Sequence, residues 1–171
     1  MTGGAFPQPP GTHLAQLNVG VLAADTDDPR VAPFMDALDR VNGMGKRMPG
    51  FVWMMEGSGE PGTGNTEAKI DGDLRAISNL TVWTDVAALE RFVWDTVHRQ
   101  FYTRRAEWFT ALAEQHLVLW YVPQGHRPTL GEALERLDLL RRLGPTAEAF
   151  DWAGADARRT AAERCAPALG A

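Results

Sequence analysis

The chain has 171 residues, 44% of them hydrophobic, with a formal net charge of −5 and a single cysteine. That length suits one domain able to bury a core without covalent staples, and the acidic balance provides no basic field for nucleic acid or anionic lipid. Cys165 has no internal disulfide partner, the opening MTGGAFPQPPG lacks the basic start and apolar stretch of a signal peptide, and no apolar run approaches the roughly 20 residues of a bilayer span, so the cytoplasm is the expected compartment.

Residues 1–12, rich in Gly and Pro, read as a flexible arm ahead of a domain over 13–150, with a tail over 151–171. His13–Ala24 alternates with period two. Ala15, Leu17, Val19 and Val21 form one face and Gln16, Asn18 and Gly20 the other, as in a half-buried strand. Asp28-Pro29 is a plausible cap and first turn for a helix over about Val31–Lys46, whose Phe34, Ala37, Leu38 and Val41 share a side. Phe51–Glu56 is a second strand, with Phe51, Trp53 and Met55 on one side. Gly57–Asp73 is too polar and Gly-rich to fold alone and reads as a long connection, mobile or closing over a site.

Ile77–Trp83 is a third strand. A helix is expected from Val86 to about Leu112, with Leu89, Val93, Val97 and Phe101 as its core stripe. Val118–Val122 is a fourth strand, starting near His116. Thr129 caps a last helix over Leu130–Leu143, stopped by Gly144-Pro145, and His126-Arg127-Pro128 just before it is placed to cap that helix, contact a partner subunit or rim a pocket entrance. The basic clusters at Arg99, Arg104 and Arg105 and at Arg141 and Arg142 read as solvated helix faces. The resulting order is the α+β, ferredoxin-like βαββαβ arrangement, an antiparallel sheet with an added C-terminal helix.

Two helices cover one face of such a sheet. Leu80 and Val82 are expected to face them, together with the apolar side of the first strand. Gln16, Asn18, Ile77, Asn79, Thr81 and Trp83 are then left on the other face. Large aromatics such as Trp53 and Trp120 on exposed sheet faces each carry on the order of 150–250 Å² that water does not cover favourably. A second copy packed face to face is the economical cover, hence an expected homodimer. Buried amides require partners, so Gln16, Asn18 and Asn79 satisfy either one another across that interface or a small-molecule ligand.

The segments QLNVG (16–20), DPRVAPFMDALDRVN (28–42), PGFVW (49–53), NLTVW (79–83), FVWDTVHRQF (92–101), EWF (107–109) and LVLWYVPQGHRPT (117–129) resemble domain-of-unknown-function family 3291. That family is similar in turn to the antibiotic-biosynthesis-monooxygenase superfamily of dimeric α+β barrels. The resemblance covers roughly residues 13–150. It implies a homodimer and a small-molecule site, in a superfamily that includes cofactor-free monooxygenases, haem-degrading enzymes, isomerases, cyclising enzymes and proteins with no known reaction.

His98 is the candidate proton acceptor, expected to share a helix side with Trp94 and Tyr102, one turn before and after it. With Asn18 and Asn79 it is a candidate catalytic residue, and Gln16, Trp53, Trp83, Trp94, Tyr102 and Trp120 are candidate substrate contacts. The cofactor-free monooxygenases hold a polycyclic phenol, remove a proton from it and let the carbanion reduce O₂. Amides, an indole and an imidazole are the residue types that task requires. Haem-degrading members pair an asparagine on the first strand with a histidine on the second long helix, which Asn18 and His98 match in kind. In this chain, however, the interval from Trp83 to His98 is shorter, and Phe92 stands where those enzymes tend to have a tryptophan. No metal, phosphate-loop, dinucleotide or serine-hydrolase signature is present, and His13, His98, His116 and His126 lie on separate elements. Three readings stand. One is a small-molecule enzyme of secondary or aromatic metabolism, oxygenase-like or isomerase/cyclase-like, with no cofactor. The second is a non-catalytic ligand-binding or accessory dimer. The third is a haem protein with His98 as axial ligand.

Overall fold

The computed structural model describes residues 5–56, 73, 75–96 and 98–155. Four strands, β1 (Thr12–Val21), β2 (Phe51–Met54), β3 (Ala76–Trp83) and β4 (Leu117–Pro123), form one antiparallel sheet in the order β2-β3-β1-β4. With α1 (Ala32–Gly45) between β1 and β2 and α2 (Val86–Asp95) after β3, this is the ferredoxin-like order expected from the sequence. A short α3 (His98–Thr103), a 3₁₀ turn (Arg105–Glu107) and the C-terminal α4 (Leu130–Leu143) complete the fold. Among the described residues no helix is long and apolar enough to cross a membrane. The connection 57–72 and Cys165 lie outside the described residues.

The caps show why the helices start where they do. Asp85 accepts from the Ala88 amide at 2.7 Å and Thr129 from the Glu132 amide at 3.1 Å, so both satisfy amides that a first turn leaves unpaired. His126 meets Glu132 at 2.8 Å, which ties the segment before α4 to its first turn. Gly144, at φ 73°, ends that helix. Asp28 instead closes its own turn by accepting from the Arg30 amide, and α1 begins at Ala32.

The expected helix Val86–Leu112 is broken. Thr96 donates its hydroxyl to the Phe92 carbonyl at 2.6 Å, and its backbone is extended, with ψ −178°. The same oxygen then accepts from the His98 amide at 3.1 Å, so one threonine ends α2 and opens α3. The helical repeat is periodic across this break, which is why it reads as continuous in the sequence.

The larger correction concerns which helices cover which face. Leu14, Trp83 and Leu119 pack with α2 residues Leu89, Phe92, Val93 and Trp94, and with Val41 of α1. The register puts Gln16 opposite Thr81 and Asn18 opposite Asn79 on that same side, so α1 and α2 cover the polar face. The apolar face, with Ala15, Leu17, Leu80, Val82, Val118, Trp120 and Val122, packs against Ala133, Leu137 and Leu140 of α4. Alternation separates the two faces but contains nothing about which helix layer reaches each. A bulge at Val52 also moves Phe51 to the α2 side, where it meets Trp83 edge-on at 5.5 Å, while Trp53 and Met55 stay on the α4 side.

The chain ends are held as well. Phe6 donates its amide to Gly154 at 2.8 Å, and Gln8 bonds the carbonyls of Thr12 and Thr84. Phe150 exchanges both backbone bonds with Leu119, at 2.7 and 2.9 Å, and so covers the outer edge of β4. Residues 5–12 and 151–155, expected as a loose arm and a tail, thus pack on the domain.

Candidate functional site

On the face under α1 and α2, two successive cross-strand pairs are polar: Gln16 with Thr81, then Asn18 with Asn79. Residues two apart on a strand stand about 7 Å apart on one face, and directly paired side chains about 5 Å apart. The four therefore form a two-by-two polar floor in the middle of β1 and β3. Met54 lies beside it on β2, and Leu117 and Leu119 on β4. Gln16 is 6% exposed and Thr81 is buried, whereas Asn18 and Asn79 are half-buried.

A hydrogen-bond chain runs through this floor. The Trp83 indole donates to Thr81 Oγ1 at 2.9 Å, and the Thr81 hydroxyl donates to Gln16 Oε1 at 2.8 Å. The Trp83 rings are wholly enclosed, stacked on Phe92 at 5.3 Å and met edge-on by Phe51. The indole thus holds Thr81 in place and has no open face for stacking. Thr81 is the residue the sequence reading left out of its candidate site. Its position between Asn79 and Trp83 on the same face of β3 is the signal that identifies it.

His98, first residue of α3, packs on Phe92 at a ring distance of 4.8 Å. An aromatic stack of Trp83, Phe92 and His98 thus leads from the polar floor to the imidazole. Burial holds the His98 pKa down at about 4, and a backbone interaction with Val93 opposes that without cancelling it. Its Nδ1 is buried without a hydrogen-bond partner among the described residues. The ring is neutral at pH 7, and burial makes it a weaker base than a free imidazole.

The break at Thr96 falls between Trp94 and His98, while Tyr102 stays in α3 with His98. Trp94 and Tyr102 face each other edge-on at 4.8 Å, Trp152 lies 6.2 Å from Trp94, and the Arg105 guanidinium covers the Tyr102 ring at 4.2 Å. Trp94 and Tyr102 thus meet each other edge-on while packing in the same core cluster as Trp83 and Phe92.

Trp53 and Trp120 lie on the opposite face of the sheet. Trp120 is 1% exposed among α4 residues and donates its indole N–H to Glu132 at 3.2 Å, and Trp53 packs with the same cluster. The sequence places both in a substrate site; the register separates them from it. Gln16, Asn18, Asn79 and Trp83 are brought together, His98 is linked to them through Phe92, and Trp53 and Trp120 are not. Among the described residues no three His, Cys, Asp or Glu side chains gather as a metal set.

Residues 13–165 match the family described as a domain of unknown function, DUF3291, and the chain belongs to that family. No curated protein matches it. Among solved structures it is similar to SnoaB, a cofactor-independent oxygenase from Streptomyces nogalater, at 18% identity and a TM-score of 0.42, over 70% of this chain and 98% of that one. It is also similar to PA3566 from Pseudomonas aeruginosa, at 14% identity and a TM-score of 0.43, over 67% and 96% of the two chains.

Proposed function

We propose that this DUF3291 protein is a small-molecule enzyme of secondary or aromatic metabolism, with its substrate held between the sheet and helices α1 to α3. The observation that carries the reading is the polar floor of Gln16, Thr81, Asn18 and Asn79, set on a face otherwise packed with Leu14, Leu119, Trp83 and Phe92. Polar groups in such a setting cost stability unless something hydrogen-bonds to them, and a bound ligand does so with direction. In this reading the asparagine amides hold substrate oxygens. Neutral His98 takes the proton of a weakly acidic C–H or O–H, the carbanion reduces O₂ and forms a C–O bond with it, and the proton returns to the peroxide oxygen to give a hydroperoxide, with no resident cofactor. Trp83, being enclosed, acts on the substrate through Thr81.

In this reading the protein works as a homodimer in the cytoplasm. The apolar face over β1, β3 and β4 is buried with α4, so the surface left for a second copy is the β2 edge, where Trp53 and Met55 are partly buried and Val52 is 37% exposed.

The test is oxygen uptake with a panel of polycyclic phenols and their keto tautomers, anthrone among them, by the wild type and by His98→Ala. Uptake that falls about 10²–10⁴-fold in the variant, with binding retained, supports a proton-accepting role. Binding without uptake makes the protein an accessory ligand carrier. A Soret band on adding haemin, lost in His98→Ala, makes it a haem protein.

A further inference from the structure

We infer that Gln16 is a hydrogen-bond donor whose direction is fixed by Trp83 through Thr81, and that the site therefore selects ligands carrying an acceptor oxygen: a carbonyl, carboxylate or phenolate. The inference rests on the reading of the polar floor as a ligand site and names the chemistry that site accepts.

An indole N–H can only donate, so the Trp83 bond of 2.9 Å makes Thr81 Oγ1 an acceptor on that side. The hydroxyl has a single proton, and its 2.8 Å contact with Gln16 uses it. Gln16 must then present its carbonyl oxygen to Thr81. With the amide turned over, its own N–H would point at Thr81, and the buried hydroxyl proton would have no acceptor. The relay thus settles which end of the amide faces the sheet and which faces away.

The end facing away is the NH₂ group. It takes no part in the bond to Thr81, and Gln16 as a whole is only 6% exposed. A donor group directed in this way suits an acceptor oxygen. Asn18 and Asn79 on the next pair add amides that can turn to suit the same oxygen or a second one. A ligand that offers only hydrogen-bond donors leaves Gln16 unsatisfied, and one without polar atoms gains nothing from it.

The experiment compares two probes of one ring system, 1-tetralone, which carries a carbonyl, and tetralin, which carries none. Binding to the wild type, Thr81→Val and Thr81→Ser is followed by calorimetry and by the side-chain ¹⁵N–¹H₂ resonances of Gln16. The wild type is expected to bind 1-tetralone about tenfold more tightly than tetralin, with the Gln16 resonances shifting. Thr81→Ser keeps the preference because it keeps the hydroxyl. Thr81→Val, which frees the amide to turn over, reduces it below about threefold. Should Thr81→Val fail to fold, the Gln16 shifts in the wild type and in Thr81→Ser decide. Equal affinity for the two probes, a preference unchanged in folded Thr81→Val, or no binding of 1-tetralone up to its solubility limit overturns the inference. Probe selectivity without oxygen uptake would leave the donor assignment standing and remove the oxygenase reading, so the two fail separately.

Discussion

Ala15, Leu17, Val118, Trp120 and Val122 on one side of the sheet meet the leucines of a single 14-residue helix, α4, while Gln16, Asn18, Thr81 and Asn79 on the other side lie beneath α1 and α2. The first face is stabilised by removing apolar surface from water, and its contact residues, including Ala133, Leu137 and Leu140, need no partner beyond each other. The second combines aromatic packing with buried hydrogen-bonding groups. The relay from Trp83 to Gln16 satisfies only part of these. The side with unspent polar capacity is the one on which to look for chemistry, and the side whose contacts are almost all aliphatic is the one on which to look for stability alone.

Substitutions can break that contrast. Trp120→Ala removes a large side chain from the α4 face and should cost about 3–5 kcal/mol in denaturant unfolding, while leaving the 1-tetralone preference of the folded fraction unchanged. A loss of selectivity in proportion to stability would mean that the two faces do not work independently.

Titration sharpens the contrast. With its folded pKa near 4 and an ordinary value of 6.5, His98 binds fewer protons in the folded than in the unfolded chain between those limits. Its neutral form is retained in full above about pH 6.5, and stability drains away as the pH falls toward 4, by on the order of 3 kcal/mol at most. Urea midpoints measured across that window should slope upward with pH in the wild type and be flatter in His98→Phe. The acid limb of any His98-dependent turnover should lie well below pH 6.5 for the same reason.

The smallest expected effect is at the helix break. Thr96→Ala removes the hydroxyl that caps α3 and should cost about 1 kcal/mol. It should also loosen the His98 packing on Phe92, seen as a faster exchange of the His98 amide. An unchanged exchange rate would show that the break does not depend on Thr96.

Much of the fold was legible in the residues. Period-two alternation located β1, short apolar and β-branched runs located β3 and β4, and Thr129 and Gly144 marked both ends of α4. The amide positions Gln16, Asn18 and Asn79 were legible as one face, because alternation assigns neighbours to opposite sides without further information. Three features were not. The covering layer of each face is a tertiary property, so the polar face was assigned away from the helices that in fact lie on it. The bulge at Val52 adds one residue that no composition signal marks, and it moved Phe51 across the sheet. The break at Thr96 replaces a helical bond by a side-chain bond within an unbroken apolar repeat, and it takes His98 out of register with Trp94, so that His98 meets Phe92. Residue types in the site were readable, but their assembly depended on these local events.

The central claim is that ligand binds on the amide-bearing side of the sheet and not against the indoles of the other side. Titrating ¹⁵N-labelled protein with 1-naphthol tests it directly. The account predicts shifts in the side-chain amide resonances of Gln16, Asn18 and Asn79, with the Trp120 and Trp53 indole resonances unmoved. Shifts confined to those two indoles, with the three amides silent, would contradict it.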